Sequence, residues 1–369
     1  IFESISGLTG TGFSIFENIR YLDPTLVLWR SSSQWIGGLY FFLFLILIFS
    51  NKKFNFKMTE LTFSGDGSLN SSNNIKNLVL KIFIAYSLTS LVIFVMLNLS
   101  DVRLFNSLNL TMTLVSTGGF IPSDSLNRII SSNVQKIVFI FSLLTSMLNL
   151  FLVFNIFKKN ILFRQHQEDL YIIFLTIFLI LLVFFNDYNS LDIIISVLSS
   201  LSNSGLSLIK ADHNLSLYFL FITLIGGSLI SCTSGIKMTR IFILLKTTSI
   251  EILRLISPNS IINKNIFNSE KKITDDNIRI SFLIFISFFI SLFILSGILI
   301  FDNIDFEKSF KLSLLTITNT TYSDMFGISK MNFANLLTSS KLSLIIFMII
   351  GKIELISIFL IIKKIFFKD

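Results

Sequence analysis

The sequence predicts an all-α polytopic membrane protein built from four pseudo-symmetric units around one axis. Three observations predict it. Apolar residues make up 52% of the 369-residue chain, with 42 Phe, against 14% charged residues, and mean hydropathy is +0.78. A soluble core has no use for that much apolar surface, whereas each bilayer-spanning helix takes about 20 apolar residues. Long apolar runs alternate with short ones, and a bend rich in glycine and small hydroxyl residues recurs between them. The basic residues, finally, gather at the far end of each repeat, where juxtamembrane anchors stand.

Taken in order, residues 1–7 read as the end of a short helix entering the first bend, 8–14. A span follows over 28–50, with Trp29 and Trp35 as interfacial anchors, then a Gly/Ser/Asn-rich loop around 63–77. The second unit has a span over 78–99, a short amphipathic segment over 105–115, the bend 116–120 and a long helix over 125–157. The third has a span over 170–185, a short helix over 190–201, the bend 202–207 and a helix from about 215. That helix is interrupted at Gly226, Gly227 and Ser228, and again at Ser231, Ser234 and Gly235. A polar linker over 257–277 leads to a span over 280–301, a short helix over 306–316, a degraded bend 318–323 and a helix over 340–367. The units thus divide as 1–57, whose first span is missing, 58–165, 166–256, and 257–369 with its linker. The opening Ile1 reads as a truncated or processed start. Asn-rich loops are discounted as signals, because high Ile, Phe, Asn and Lys content reflects an AT-rich genome.

Helices of about 10–12 residues cannot cross a hydrocarbon core roughly 30 Å thick. They must dip in and return, so each complete unit begins and ends on one side. Basic clusters follow the second span of every unit: Lys52, Lys53 and Lys57; Lys158, Lys159 and Arg164; Lys237, Arg240, Lys246 and Arg254; Lys363, Lys364 and Lys368. The positive-inside rule puts all four ends in the cytoplasm. The bends then face outward, beside Asp23, Asp124, Asp212, Asp302 and Asp324.

Non-helical backbone at membrane depth is tolerated where it is buried in protein or lines a water-filled path. Four such bends around an axis meet in a central ion pore. Glycine and small hydroxyl residues let carbonyls turn inward and replace a cation's hydration shell, and the short helices add their negative dipole ends. A ring of carbonyls without a fixed carboxylate favours a monovalent cation. The alternative is that the bends are only tight turns in a polytopic bundle. Enzyme chemistry finds no support: there is no His/Cys/Glu metal cluster, no G-x-S-x-G elbow and no phosphate-binding Gly-Lys-Ser/Thr loop. The lone Cys232 excludes a disulfide framework within the chain, and His166 and His213 read as ordinary loop residues. An inverted-repeat carrier would not put every second-span basic cluster on one side.

The run from Ser6 through Gly37 and Gly38, together with 116–120, Ile225–Gly227, Ser234–Lys237, Arg240 and Gly351–Glu354, resembles the Trk/Ktr/HKT potassium transporter family, in its TrkH-type membrane subunit. The resemblance covers essentially the whole chain. It implies four pore-forming units, potassium as the transported ion without a bound cofactor, multi-pass placement in the bacterial inner membrane, and a homodimer. It further implies a cytoplasmic regulatory subunit of the nucleotide-binding TrkA type. The filter it implies comprises Thr11 and Gly12, Gly118 and Gly119, Ser204 and Gly205, and Thr320 and Thr321. The fourth position departs from the family's glycine. A threonine there is expected to carry a steric cost if the bend needs positive φ, and relatives with a non-glycine residue can admit sodium.

Lys352 stands mid-span where the family usually has arginine, and a cation there costs about 2.5–3.5 kcal/mol by insertion scales. It is expected either to face the cavity beneath the filter as an electrostatic barrier or to pair with a carboxylate on another helix. Glu354, two residues on, does not share its helix face. The interruption 226–235 reads either as close helix packing through Gly227 and Ser231 or as an intramembrane gating loop, which the resemblance favours.

Overall fold

Polarity runs inside out in this bundle. Ser107, Asn109, Thr113, Ser196, Ser199, Ser313 and Thr316 are fully buried, while Phe174, Leu181 and Phe293 are mostly exposed. That distribution suits a protein whose outer solvent is lipid and whose centre handles something polar. The computed structural model describes residues 1–16, 18–50, 72–152, 166–184, 188–257, 263–267, 272–328 and 331–353.

Twelve α-helices make up the described residues, with no sheet among them. In chain order they are α1 (Phe2–Thr9), α2 (Pro24–Ser50), α3 (Ser72–Leu99), α4 (Leu104–Val115), α5 (Asn133–Met147) and α6 (Gln167–Val183). There follow α7 (Ser190–Leu201), α8 (His213–Ile222), α9 (Met238–Ile256), α10 (Asp275–Phe301), α11 (Phe306–Ile317) and α12 (Thr338–Ile353). Within the described residues, 76–99 of α3 and all of α10 are long and apolar enough to cross a membrane by length and composition.

The four short helices α1, α4, α7 and α11 sit innermost. Many of their hydroxyls bond back along the helix: Thr111 donates to the Ser107 carbonyl at 2.7 Å, Ser196 to Asp192 at 2.9 Å and Thr316 to Leu312 at 2.6 Å. Back-bonding of this kind lets a polar helix be buried without orphaned donors. Ion pairs fix two of them laterally. Arg30 Nε of α2 meets Glu3 Oε1 of α1 at 2.7 Å, and Lys136 of α5 meets Asp192 of α7 at 2.7 Å.

The structure corrects several expectations. Of the helix expected over 125–157, residues 125–147 carry α5 after a 3-10 turn, and 153–157 lie outside the described residues. This helix starts after the turn at Leu126–Arg128 because Ser132 and Gln135 form a capping box, which satisfies two orphan backbone donors. It ends at Met147, where Leu148 is extended and the exposed backbone pairs elsewhere: Ser228 N–H donates to the Met147 carbonyl at 2.9 Å, and Leu150 N–H to Ile230 at 3.0 Å. The linker is more than polar coil. Ile266, Phe267 and Ile273 form a small satellite core with Ile243 of α9, against Tyr171 and Phe242. Lys237 and Arg240 are 1% and 2% exposed, so they are not the surface anchors expected. The other three basic clusters, Glu354 and the end of the helix expected to 367 lie outside the described residues.

Candidate functional site

Each short helix ends in the same hydrogen-bonded turn. After α1, Gly10 N–H donates to the Gly7 carbonyl at 2.9 Å and Thr11 N–H to Ser6 at 3.0 Å. After α4 the pair is Thr117 to Leu114 (3.0 Å) and Gly118 to Thr113 (2.8 Å); after α7, Asn203 to Ser200 (3.2 Å) and Ser204 to Ser199 (3.1 Å). After α11 it is Asn319 to Thr316 (3.2 Å) and Thr320 to Leu315 (2.9 Å). This double closure is the Schellman motif, which needs one left-handed residue. The residues that supply it are Gly10, Thr117, Asn203 and Asn319, with φ of 74°, 54°, 61° and 47°. The shared turn fixes the register between repeats, and two residues further on stand Gly12, Gly119, Gly205 and Thr321.

Those four residues meet. A Cβ placed on Gly12 would lie 1.9 Å from Thr321 Oγ1, and one on Gly119 1.5 Å from the same atom. A Cβ on Gly205 would lie 2.1 Å from the Thr321 carbonyl oxygen. Glycine is therefore required at three positions by space, and at Gly12 (φ 75°) and Gly205 (φ 69°) by conformation as well. Thr321 fills the point where the other three converge, and its hydroxyl donates to the Thr11 carbonyl at 2.8 Å. The expected steric cost at this position is absent, since Thr321 does not adopt positive φ. The cost falls two residues earlier in the repeats, at Thr117, where a β-branched residue takes a left-handed backbone.

Hydroxyl pairs support the ring in three units: Thr9 with Thr11 at 2.8 Å, Ser202 with Ser204 at 3.2 Å, Thr318 with Thr320 at 2.9 Å. In the second unit Gly118 offers no hydroxyl, and the Gln34 amide stands against it, accepting from Phe120 N–H at 3.3 Å. A cavity of about 570 Å³ opens over the ring, lined by Gly12, Gly119, Gly205 and Thr321 and by Asp124 and Asp324. Of the five acidic residues expected beside the bends, those two reach the cavity lining, which also carries Arg30 and Lys210.

On another side of the bends lies Lys352, 7% exposed. Its ammonium would be 3.5 Å from a Cβ on Gly10, and it donates to the Cys232 carbonyl at 2.9 Å. The Phe41 ring is 5.1 Å away. Among the described residues no carboxylate pairs with it.

Cys232 belongs to the segment between α8 and α9, which is not helical from Thr223 to Lys237. Close packing of a continuous helix through Gly227 and Ser231 is therefore ruled out. The segment touches all four repeats: Cys232 Sγ contacts the Gly38 carbonyl at 3.9 Å, Ser228 N–H bonds Met147, Leu229 N–H bonds Glu168 at 3.1 Å, and Ser234 Oγ meets Asn319 at 3.4 Å. Gly226 and Gly235, with φ of 70° and 80°, let the chain double back. Lys237 folds into it, donating to the carbonyls of Ser228 and Ser231, both at 3.2 Å, and of Thr233 at 2.5 Å.

All eight predicted ring residues thus lie in the four turns, and the six predicted loop residues lie together under them with Lys352. Sequence reasoning missed Asn203 and Asn319. Besides closing their turns, Asn319 donates to Thr11 Oγ1 at 2.8 Å and to the Met348 carbonyl at 2.9 Å, and Asn203 to the Thr223 carbonyl at 2.8 Å. The signal was present: asparagine tolerates the left-handed backbone better than other side chains, and both residues stand two before a ring position. Glu3, Arg30, Gln34 and Glu168 carried no sequence signal, because their partners are distant in the chain.

Four equivalent helix-ending turns that converge inside a polar-cored, apolar-coated bundle define the class, an α-helical polytopic membrane protein with a central backbone-lined site. The comparisons then place the chain. It is 26% identical over its whole length to an uncharacterized cation transporter of Methanocaldococcus jannaschii, covering 76% of that protein. It is 25% identical over its whole length to the Trk system potassium uptake protein TrkG of Escherichia coli, covering 79% of it. In fold it matches the potassium transporter TrkH of Vibrio parahaemolyticus with a TM-score of 0.83 at 19% identity, over 98% of this chain and 77% of that one. No family model matches. The chain is TrkH-like, in sequence and in fold.

Proposed function

We propose that this chain carries potassium into the cell across the bacterial inner membrane, through a filter formed at Gly12, Gly119, Gly205 and Thr321. The observation that supports this most is the fourfold repetition of one turn, in one register, converging on one point. Carbonyls held by such turns can replace a monovalent cation's hydration shell. The names of the relatives, Trk potassium uptake proteins among them, agree with the ion. The membrane potential favours entry by about 2.3 kcal/mol per 100 mV.

In this reading the chain divides into pore units 1–57, 58–165, 166–256 and 257–369, with the far end of each unit cytoplasmic. The segment from Gly226 to Gly235 is a gate beneath the filter, and Lys352 is an electrostatic barrier beside it. The subunit works as a homodimer with a TrkA-type nucleotide-binding regulatory subunit on the cytoplasmic side. Thr321 favours a second reading, a sodium-permeable or sodium-coupled transporter of the same fold. Its hydroxyl adds an oxygen where the four ring residues converge, and closer oxygens suit a smaller cation. Potassium-limited growth of an uptake-deficient bacterial host expressing the full-length protein, with and without sodium, tests both. Rescue by potassium alone supports the first reading, and rescue that requires sodium supports the second. No rescue in either medium, with the protein present in the membrane, contradicts the function.

A further inference from the structure

The segment beneath the ring is held from an element outside it. Glu168, in the first turn of α6, accepts from Ser228 Oγ at 3.1 Å and from Leu229 N–H at 3.1 Å, both near the start of the loop. It also accepts from Thr239 Oγ1, which lies just past the loop's end in the first turn of α9. One carboxylate therefore binds both sides of the loop. The neighbouring Asp169 accepts from Asn149 N–H at 2.9 Å, in the break after α5 on which the loop is docked, and pairs with His166 Nδ1 at 2.8 Å. Consecutive carboxylates thus hold the loop and its docking strand in one register.

We propose that Glu168 is the positioning residue that clamps the gate loop shut, an inference that rests on the gating role proposed for residues 226–235. Three donors on two sides of the loop converge on this side chain, and all are buried or partly buried. If the loop swings aside, Ser228, Leu229 and Thr239 all part from Glu168, so the carboxylate is the fixed half of a catch. Removing it orphans a buried backbone N–H in the closed arrangement and leaves the open one untouched. Closure weakens and opening gains.

The test is rubidium influx into proteoliposomes holding the full-length protein, comparing wild type, Glu168→Ala, Glu168→Gln, Thr239→Val and a deletion of residues 226–235. The clamp predicts that Glu168→Ala raises the maximal rate about fivefold or more, with the rubidium concentration for half-saturation unchanged because the filter is untouched. Glu168→Gln rises less, since its amide oxygen still accepts from Leu229. Thr239→Val raises the rate less and adds nothing to Glu168→Ala when combined, because Glu168→Ala has already removed the Thr239 contact. A loop deletion that leaves the rate at wild type overturns the gate reading itself. A deletion that raises it, with Glu168→Ala at the wild-type rate or additive with Thr239→Val, overturns the clamp alone. If Glu168→Ala does not fold, Glu168→Gln and Thr239→Val decide, and wild-type rates in both overturn it.

Discussion

Thr321→Gly probes the point where this protein departs from three glycines. The side chain does two things there: it occupies the space the other three residues leave, and its hydroxyl donates to the Thr11 carbonyl at 2.8 Å. A cation using that carbonyl must displace the donor. A net hydrogen bond is worth about 1 kcal/mol, or about fivefold in affinity. Thr321→Gly is therefore expected to lower the potassium concentration for half-maximal uptake about fivefold and to reduce sodium entry relative to potassium. No backbone strain is relieved, because Thr321 lies outside the positive-φ region. Thr321→Ser keeps the hydroxyl and should behave as wild type. The assay is concentration-dependent uptake into proteoliposomes under potassium and sodium gradients. Identical half-saturation in wild type and Thr321→Gly, or a fall shared by Thr321→Ser, would refute the reasoning.

Other outcomes follow from the same geometry. Gly119→Ala should abolish uptake, and adding Thr321→Gly should restore part of it, because the worst clash is with the Thr321 side chain at 1.5 Å. Gly205→Ala should not be rescued that way, since its Cβ meets the Thr321 backbone oxygen; growth on limiting potassium separates the two. Lys352→Gln should raise cation flux about tenfold, the scale of roughly 1.4 kcal/mol for a screened charge beside the ion path, read as single-channel current. Arg30→Met leaves Glu3 buried without its partner and should destabilise the protein by about 3 kcal/mol, lowering its melting temperature in detergent; Glu3→Gln with Arg30→Met should recover most of the loss. The hydroxyl of Ser340, and then that of Ser339, holds the Asp302 carboxyl below the usual carboxylate range. A depressed folded pKa gives stability that is present above the ordinary value near 3.9 and lost as pH falls through the folded one. Asp302→Asn should remove that acid-side slope from thermal unfolding measured across pH.

Much of the frame was legible in the sequence because lipid imposes its own periodicity. Apolar runs of spanning length revealed the long helices, and the short helix at Ser190–Leu201 falls where its composition put it. The register of the bends was legible because small residues recur at one spacing from each helix end. What could not be read depends on contacts between distant segments. The break after Met147 is stabilised by backbone bonds to Ser228 and Ile230, and nothing local in that apolar run announces it. Lys237 resembles any juxtamembrane lysine until the loop is folded around its ammonium. Asn203 and Asn319 lie in bends recognised by their glycine and small hydroxyl residues, and their own left-handed backbone closes two of the four turns.

The central claim is that the four turns hold a monovalent cation where Gly12, Gly119, Gly205 and Thr321 meet. Anomalous diffraction from crystals of the full-length protein grown in rubidium tests it most directly. The account predicts a peak on the axis between those four residues, displaced by potassium. A clear rubidium peak elsewhere in the protein, with none at that ring, would contradict it.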